Sequence, residues 1–271
     1  MSTNKPPAIH LAPRERAVLQ GLADGLLISE VARSLGISDG TADGYLRSAR
    51  RRLHEVRDTP PAVAIAYAHA ALDPPPPQDR KRLFLPHDRR YLVPLLAQGM
   101  TAPQISRNLS LPLEDVRQEA REALRGVGAR NRAHFVKQAW AYRLLTTQHV
   151  LDWLRRADVT RQIEAVLARK TTGPDLPPQI ATTNVIKNLT TYGLDVVTEL
   201  ETLCGDLPAD SRAAGTALYT LAEAERRLHL PPPGPTPQAA MKRAQNLARL
   251  INALHGAIDS VTSEQAGGVR T

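Results

Sequence analysis

Three arginines recur four residues apart in this 271-residue chain, at Arg117, Arg121 and Arg125. On a helix they lie along one face, where like charges repel one another unless an anionic partner is present. Guanidinium groups suit phosphate oxygens and guanine edges, so the spacing favours contact with nucleic acid. The alternative is a solvated face neutralised by the helical pairs Glu114–Arg117 and Glu122–Arg125.

A second arginine cluster occurs earlier in the chain and comprises Arg47, Arg50, Arg51 and Arg52. The same segment carries an apolar stripe at helical spacing, formed by Ala42, Leu46, Ala49 and Leu53. A helix that buries this stripe turns the arginines outward.

The two clusters occupy corresponding places in an internal repeat. Residues 11–53 and 85–127 align without a gap, 74 residues apart, with about ten identities. Each segment has enough apolar residues at helical spacing to bury a core of its own, which indicates duplicated helical domains.

The first of these segments predicts a series of short helices. Its apolar residues recur at helical spacing as far as Gly25, a typical helix stop. A second helix ends at Gly36, and Ser38 is a suitable N-cap for the third, basic helix. Two short helices joined by a glycine-containing turn predict a helix-turn-helix. Residues 61–72 predict a fourth, almost entirely apolar helix that needs cover, and residues 133–145 predict its counterpart.

At these residues the chain resembles the DNA-binding domain of LuxR-type transcriptional regulators. The matching residues have the family's spacing and fall into three groups: Leu11, Arg14, Glu15, Val18 and Leu19; Glu30, Val31, Ala32, Leu35, Ile37 and Ser38; and Thr41, Ala49 and Leu53. The second segment is more divergent, but its residues 127–132 are similar to the family's lead into the dimerisation helix.

The resemblance implies that the third helix enters the major groove of double-stranded DNA, with base contacts two, three and six residues after Thr41. These positions are Asp43, Gly44 and Arg47 in the first segment, and Arg117, Gln118 and Arg121 in the second. Thr41 itself and the neighbouring arginines complete the predicted contacts: Arg51, Arg52 and Arg125. Asp43 stands where the family has a basic residue, so it either accepts a hydrogen bond from a cytosine amino group or pairs with Arg47.

The charge distribution is uneven along the chain. Residues 1–73 hold nine basic and eight acidic residues, residues 74–147 hold thirteen and six, and residues 148–271 hold thirteen of each. The excess of +8 therefore belongs to the two repeats, chiefly to the second. A localised basic field of this kind attracts a duplex without specifying its sequence.

Composition and proline-rich stretches predict an all-α chain with seven parts. These are a first LuxR-type domain at 8–73 (the first repeat), a Pro-rich linker at 74–82, a second, divergent LuxR-type domain at 83–147 (the second repeat), a connecting helix at 148–172, a linker at 173–183, a C-terminal three-helix bundle at 184–263 and a disordered tail at 264–271. The bundle resembles an uncharacterised actinobacterial helical domain, some of whose members are labelled natural-product-biosynthesis proteins. We expect it to bind a protein or small-molecule effector.

Several classes of function lack their sequence signatures. There is no phosphate-binding glycine loop, dinucleotide fingerprint, zinc-binding histidine helix or nucleophile elbow, so we expect no enzymatic activity and no cofactor. The single cysteine and eight scattered histidines predict neither a disulfide nor a metal site. With no signal peptide and no long apolar run, we expect a cytoplasmic protein without a membrane partner.

The sequence thus predicts a sequence-specific DNA-binding transcriptional regulator with two unlike helix-turn-helix units. If helices 61–72 and 133–145 pack on each other, the chain is an intramolecular pseudo-dimer; if each pairs with its counterpart in a second chain, it is a homodimer. The alternative is a protein-interaction scaffold whose degenerate units no longer bind DNA specifically. Asp43 and the four acidic residues of the second basic helix motivate that alternative: Glu114, Asp115, Glu119 and Glu122.

Overall fold

The computed structural model describes residues 8–86, 89–173, 176–208 and 210–268. Within these ranges the chain forms α-helices, one short 3-10 helix and no strand, which confirms the all-α prediction. The chain divides into two compact units, residues 1–153 and 154–271. Both repeats lie in the first unit.

The first repeat contains four helices: α1 (Pro13–Ala23), α2 (Ile28–Leu35), α3 (Asp39–Arg52) and α4 (Thr59–Ala68). Short-range hydrogen bonds set their ends. The Glu15 carboxylate accepts from the backbone N–H of Ala12 at 2.8 Å, and the Ser38 hydroxyl accepts from the N–H of Thr41 at 3.2 Å. Gly36 ends α2 with a φ of 64°, which confirms the predicted stop.

The core of the first repeat contains the apolar stripe predicted for the basic helix. Its buried members are Leu11, Val18, Leu19, Leu22, Val31, Ala32, Ala42, Leu46, Ala49 and Leu53. These residues come from α1, α2 and α3 together, so the core holds the basic helix α3 against the other two.

The second repeat contains α5 (Leu92–Ala97), α6 (Ala102–Leu109), α7 (Leu113–Gly126) and α8 (Arg132–Ala141). Helices α6 and α7 match α2 and α3 in length and begin 74 residues after them. Helix α8 matches α4 in length and begins 73 residues after it. The one-residue difference falls in the loop before the last helix of each repeat.

The predicted helices 61–72 and 133–145 both end four residues earlier than expected. In each case the chain turns at a left-handed residue, Ala70 or Arg143, and both have a φ of 54°. The next two backbone N–H groups then donate to a single helical carbonyl oxygen. Because neither turn has a glycine or a proline, the sequence carried no stop signal there.

Helix α4 packs against α8 within the same chain. The rings of Tyr67 and Trp140 meet there, with their centroids 5.4 Å apart. Pro60 to Ala68 of α4 are all buried, so the apolar helix is covered. An ion pair of 2.5 Å between Asp24 and Lys137 also joins the two repeats.

The two repeats also meet at a pair of glycine turns. Gly25 has a φ of 88° and Gly99 a φ of 84°, and a Cβ atom on either would crowd the other repeat. On Gly25 it would lie 3.0 Å from Nδ1 of His134, and on Gly99 3.2 Å from Cδ of Pro61. Because Gly25 corresponds to Gly99 and Pro61 to His134, the two contacts are reciprocal.

The C-terminal unit is built from α9 (Thr147–Leu167) from residue 154 onward, α10 (Gln179–Gly205), α11 (Arg212–Leu228) and α12 (Pro237–Gly268). Val159, Ile163 and Val166 of α9 belong to its core, so four helices enclose this core instead of the predicted three. The amide of Gln245 in α12 donates to the carbonyl oxygens of Val166 (3.2 Å) and Arg169 (2.7 Å). The connecting helix is therefore part of the bundle.

Two predicted boundaries in this unit also change. Helix α10 begins inside the predicted linker 173–183, of which residues 174–175 lie outside the described residues. Helix α12 continues to Gly268, so residues 264–268 are helical and not the start of a disordered tail. The rest of that predicted tail, residues 269–271, lies outside the described residues.

Candidate nucleic-acid interface

A buried carboxylate holds the first basic helix in place. Glu15 of α1 is 4 % exposed and accepts hydrogen bonds from Oγ of Ser48 (2.5 Å) and Nε of Arg52 (3.2 Å) in α3. Burial opposes ionisation of Glu15, but the hydrogen bonds from Ser48 and Ala12 and the charge of Arg52 outweigh it and lower its pKa. Arg52 is therefore anchored to the scaffold at one edge, while about half of its side chain stays exposed.

The predicted contacts of α3 differ in how far they are already engaged. The Thr41 hydroxyl lies 2.8 Å from that of Ser38, within the N-cap of the helix. Arg47 and Arg51 are exposed. A Cβ on Gly44 would meet nothing within 4 Å, so the helix surface is open at that position.

Asp43 does not pair with Arg47. Both residues are exposed and belong to the described part of the chain, and no ion pair in that part of the chain links Asp43 to Arg47. The i,i+4 interpretation of Asp43 is therefore wrong, and its carboxylate faces solvent beside the open position at Gly44.

Helix α7 presents the predicted arginine face to solvent. Arg117, Arg121 and Arg125 are all exposed. Arg117 forms the expected ion pair with Glu114 at 3.1 Å, and Nε of Arg121 donates to the carbonyl oxygen of Arg117 at 3.2 Å. These short-range contacts align the first two guanidinium groups along one side of the helix.

Two acidic residues of α7 contact other residues of the second repeat. Glu122 forms an ion pair with Arg89, so the predicted Glu122–Arg125 pair is wrong. The Glu122 carboxylate also accepts from Nε2 of Gln118 at 3.0 Å, which ties one predicted base contact to the helix. Glu119 accepts a hydrogen bond from the hydroxyl of Tyr91 at 2.5 Å.

Two further arginines near these helices differ from the sequence-based expectation: the prediction for Arg50 is wrong, and Arg132 was not predicted. Arg50, predicted to face outward, is half-buried and donates to Oγ1 of Thr59 at 2.6 Å. Arg132, at the start of α8, donates from Nη2 to the carbonyl oxygens of Leu96 and Met100. An alignment of the two repeats places Arg132 at the position of Thr59, so the sequence itself shows that an arginine replaces a small polar residue there.

Across the described ranges, His, Cys, Asp and Glu side chains do not gather in groups of three or more that could hold a metal ion. Across the same ranges, the helices that reach 18 residues are too polar to cross a membrane.

Comparison with known families matches two parts of the chain. Residues 10–66 match the model described as bacterial regulatory proteins, luxR family, and residues 157–261 match a family of unknown function, DUF6415. The first match confirms the resemblance of the first repeat and supports a DNA-binding transcriptional regulator in general. The second match begins within α9, which agrees with the inclusion of that helix in the bundle. The second repeat lies outside both matches, and no curated protein or solved structure matches the chain.

Proposed function

We propose that this chain is a sequence-specific transcriptional regulator that binds DNA with two unlike helix-turn-helix units, arranged as a pseudo-dimer within one polypeptide. The observation that carries the proposal is the packing of α4 on α8, the helices that follow the two basic helices α3 and α7. Each part of this proposal has its own support.

The second repeat has the backbone plan of the first. Its helices have the same order and spacing, and the turns before α3 and α7 both contain a left-handed residue, Gly36 (φ 64°) and Ser110 (φ 53°). The pair that ties the first helix to the basic helix is retained in changed form. Glu15 binds Ser48 in the first repeat, whereas Arg89 and Glu122 form an ion pair at the corresponding positions.

The α4–α8 contact has the form expected of a two-fold interface. In such an interface a position contacts its own counterpart, and other contacts occur in reciprocal pairs. Tyr67 and Trp140 are counterparts 73 residues apart and contact each other. The glycine turns at Gly25 and Gly99 provide the reciprocal pair. Because α4 is covered within the chain, we expect a monomer in solution.

The two contact faces are unlike. The first offers Asp43, an open backbone at Gly44 and Arg47, while the second offers the arginine series that begins at Arg117. The second repeat also carries most of the net positive charge. We therefore expect an asymmetric operator with half-sites roughly 34 Å apart. In this arrangement the second repeat supplies most of the salt-dependent affinity.

The scaffold alternative predicts an acidic α7 surface that repels phosphate. Two of its motivating acids, Glu119 and Glu122, are engaged by Tyr91 and Arg89 instead. The remaining acids of α7, Glu114 and Asp115, lie at the start of the helix, where Glu114 is paired with Arg117, and Asp43 stays exposed on α3. The arrangement of these side chains favours DNA binding over the scaffold.

For the C-terminal unit we propose a protein-binding role. Leu218 and Tyr219 are adjacent on α11 and are 61 % and 82 % exposed. Large apolar side chains exposed next to each other are typical of interaction surfaces.

Capture of fragmented genomic DNA by the full chain tests the proposed function. We expect enrichment of a few promoter fragments, with log affinity falling linearly in log salt by several units of slope. The enriched sequences should contain two unlike half-sites, and sedimentation should give one chain per site. Uniform weak retention that disappears near physiological salt would contradict the regulator proposal, and a symmetric site bound by two chains would contradict the pseudo-dimer.

A charge-matched pair of double variants separates specific contact from bulk charge. Arg121→Glu/Arg125→Glu should weaken operator binding more than tenfold and lower the salt slope by about 2, since each lost phosphate contact removes about 0.9. Arg212→Glu/Lys242→Glu changes the net charge equally at exposed positions of the C-terminal unit. That control should bind within about threefold of the parent chain, and equal losses in both variants would refute the assignment of α7.

A further inference from the structure

We infer that the second repeat contains a binding site for a small organic anion with an apolar body, in a cavity beside α7. The cavity has a volume of about 360 Å³ and is lined by residues of α5, α6, α7 and α8. Its apolar wall includes Met100, Ala102 and Ala120. Its lining also includes three arginines, Arg117, Arg121 and Arg132.

Two apolar positions of the cavity lining carry smaller side chains in the second repeat than in the first. Ala120 replaces Leu46, which is only 7 % exposed in the first repeat. Ala102 in turn replaces Ile28. Protein interiors are close-packed, so removing several carbon atoms from one site leaves a space unless the surroundings collapse.

Two further positions near this site also differ between the repeats. In the first repeat Arg50 donates to Oγ1 of Thr59 at 2.6 Å. The counterparts of these two residues are Leu124 and Arg132, which cannot form that hydrogen bond. The second repeat therefore differs from the first both at the apolar positions of this site and at the positions of Arg50 and Thr59.

The charge of the lining selects an anion. Nη2 of Arg132 donates to two backbone carbonyl oxygens, but its Nε is buried without a hydrogen-bond partner in the described part of the chain. Burial lowers the pKa of Arg132, and the charge of Asp58 opposes this shift. An arginine guanidinium group is charged at neutral pH. The described residues that line the cavity include no carboxylate, and Glu114, which pairs with Arg117, is not among them.

The apolar wall distinguishes the ligand from a free phosphate. A carboxylate or sulfonate attached to an aromatic or aliphatic body pairs with Arg117 and Arg121 while its body occupies the space beside Ala120. A volume of this size is within the range of known small-molecule sites. A neutral apolar molecule would leave Arg121 without an anionic partner in the described part of the chain, and inorganic phosphate would leave the apolar wall exposed.

Occupation of the site opposes DNA binding, a consequence that rests on the proposed function. Arg117 and Arg121 cannot pair with the ligand and with the operator at the same time. The ligand therefore releases the second half-site first. This arrangement places a small-molecule input in the second repeat instead of in the C-terminal unit.

The test uses the methyl groups of methionine in the full chain, since the protein has only three methionines. Met100 lines the cavity, and Met241 is buried in the core of the C-terminal unit. The chain, labelled with ¹³C at the methionine methyl groups, is titrated with 1-naphthoate, and then with 1-naphthylmethylamine and inorganic phosphate. We expect naphthoate to shift the Met100 signal saturably and leave Met241 unchanged, whereas the amine and phosphate shift neither. The absence of a naphthoate shift at millimolar concentration would overturn the site.

Two variants taken from the first repeat sharpen the test. Ala120→Leu fills the cavity and should weaken naphthoate binding at least tenfold without loss of operator binding. Arg132→Thr should weaken naphthoate binding by a similar factor through loss of charge, with the fluorescence of Trp140 and Trp153 reporting that the first unit is still folded. Undiminished binding in both variants would place naphthoate elsewhere and refute the assignment.

Operator binding measured with and without naphthoate separates this inference from the proposed function. A chain that binds naphthoate at Met100 but binds no DNA supports the site and refutes the regulator. Release of the operator by naphthoate in the parent chain, but not in Ala120→Leu, supports both. If naphthoate and operator bind together without competition, the site stands and the competitive consequence is wrong.

Discussion

Reciprocal substitutions at one pair of equivalent positions test how the two repeats are packed. Leu46 is buried in the first repeat, and its counterpart Ala120 borders a cavity of about 360 Å³. Ala120→Leu adds three carbon atoms, which at about 0.8 kcal/mol per buried CH₂ contribute up to about 2.4 kcal/mol. Ordering the new side chain costs about 0.5–1 kcal/mol, so a net stabilisation of about 1–2 kcal/mol is expected.

The opposite substitution should have the opposite sign. Leu46→Ala removes the same atoms from a filled core and leaves a void, which costs about 2–5 kcal/mol. Both changes can be followed by thermal unfolding of the full chain with tryptophan fluorescence, because Trp140 and Trp153 lie in the first compact unit. For a unit of this size 1 kcal/mol corresponds to about 2–4 °C. The melting temperature should therefore rise by about 2–8 °C in Ala120→Leu and fall by more than about 4 °C in Leu46→Ala.

The sign of the change in unfolding free energy for Ala120→Leu tests whether positions 46 and 120 are equivalent. If Ala120→Leu destabilises the chain by more than about 1 kcal/mol, the neighbours of Ala120 have no room for the side chain of Leu46, and the equivalence of the two sites is wrong. If Leu46→Ala costs less than about 1 kcal/mol, the first repeat relaxes around the loss. In that case the burial of Leu46 cannot explain why the core of the first repeat is filled at this position.

Gly99→Ala tests the contact between the two repeats, and His255→Gln tests the core of the C-terminal unit. Gly99→Ala forces a residue with a side chain into a φ of 84° with its Cβ 3.2 Å from Pro61, so we expect a loss of about 1–3 kcal/mol in urea unfolding. Gly40→Ala, in open space on α3, is the control and should be neutral or slightly stabilising. His255 has its pKa lowered to about 4 by burial and by Arg156, so the folded chain binds fewer protons than the unfolded chain below pH 6.5. Its stability should therefore fall as the pH drops from 6.5 to about 4, by less than about 1.4 kcal/mol per unit because the ring is only partly buried. His255→Gln should flatten this dependence in urea titrations followed by circular dichroism, and an unchanged slope would contradict it.

Helix positions and ends in the first repeat could be predicted because their signals are short-range. A serine N-cap at Ser38 and a left-handed glycine at Gly36 act on the nearest backbone groups, so the sequence contains both partners of each interaction. The turns at Ala70 and Arg143 were missed for the complementary reason. They use residues with no turn preference, and the buried positions that follow them belong to the tertiary core.

Side-chain pairs were predicted less well than helices. The Glu114–Arg117 pair forms, because neither residue has a competing partner from another helix. Glu122 was expected to bind Arg125 but instead binds Arg89, which lies ahead of α5. A helical pair contributes only a few tenths of a kcal/mol, so a partner supplied by the tertiary structure readily displaces it.

The sequence alone predicts that the chain is helical, that residues 11–53 and 85–127 align with each other, and that an apolar helix after each of these segments requires cover. These properties follow from the spacing of apolar residues and from turn chemistry, which act over a few positions. The tertiary structure decided what covers that helix, by placing Tyr67 against Trp140, and it turned the replacement of Leu46 by Ala120 into a cavity. Burial is a property of distant residues brought together, so the identity of a side chain shows that it needs a partner but not which partner it finds.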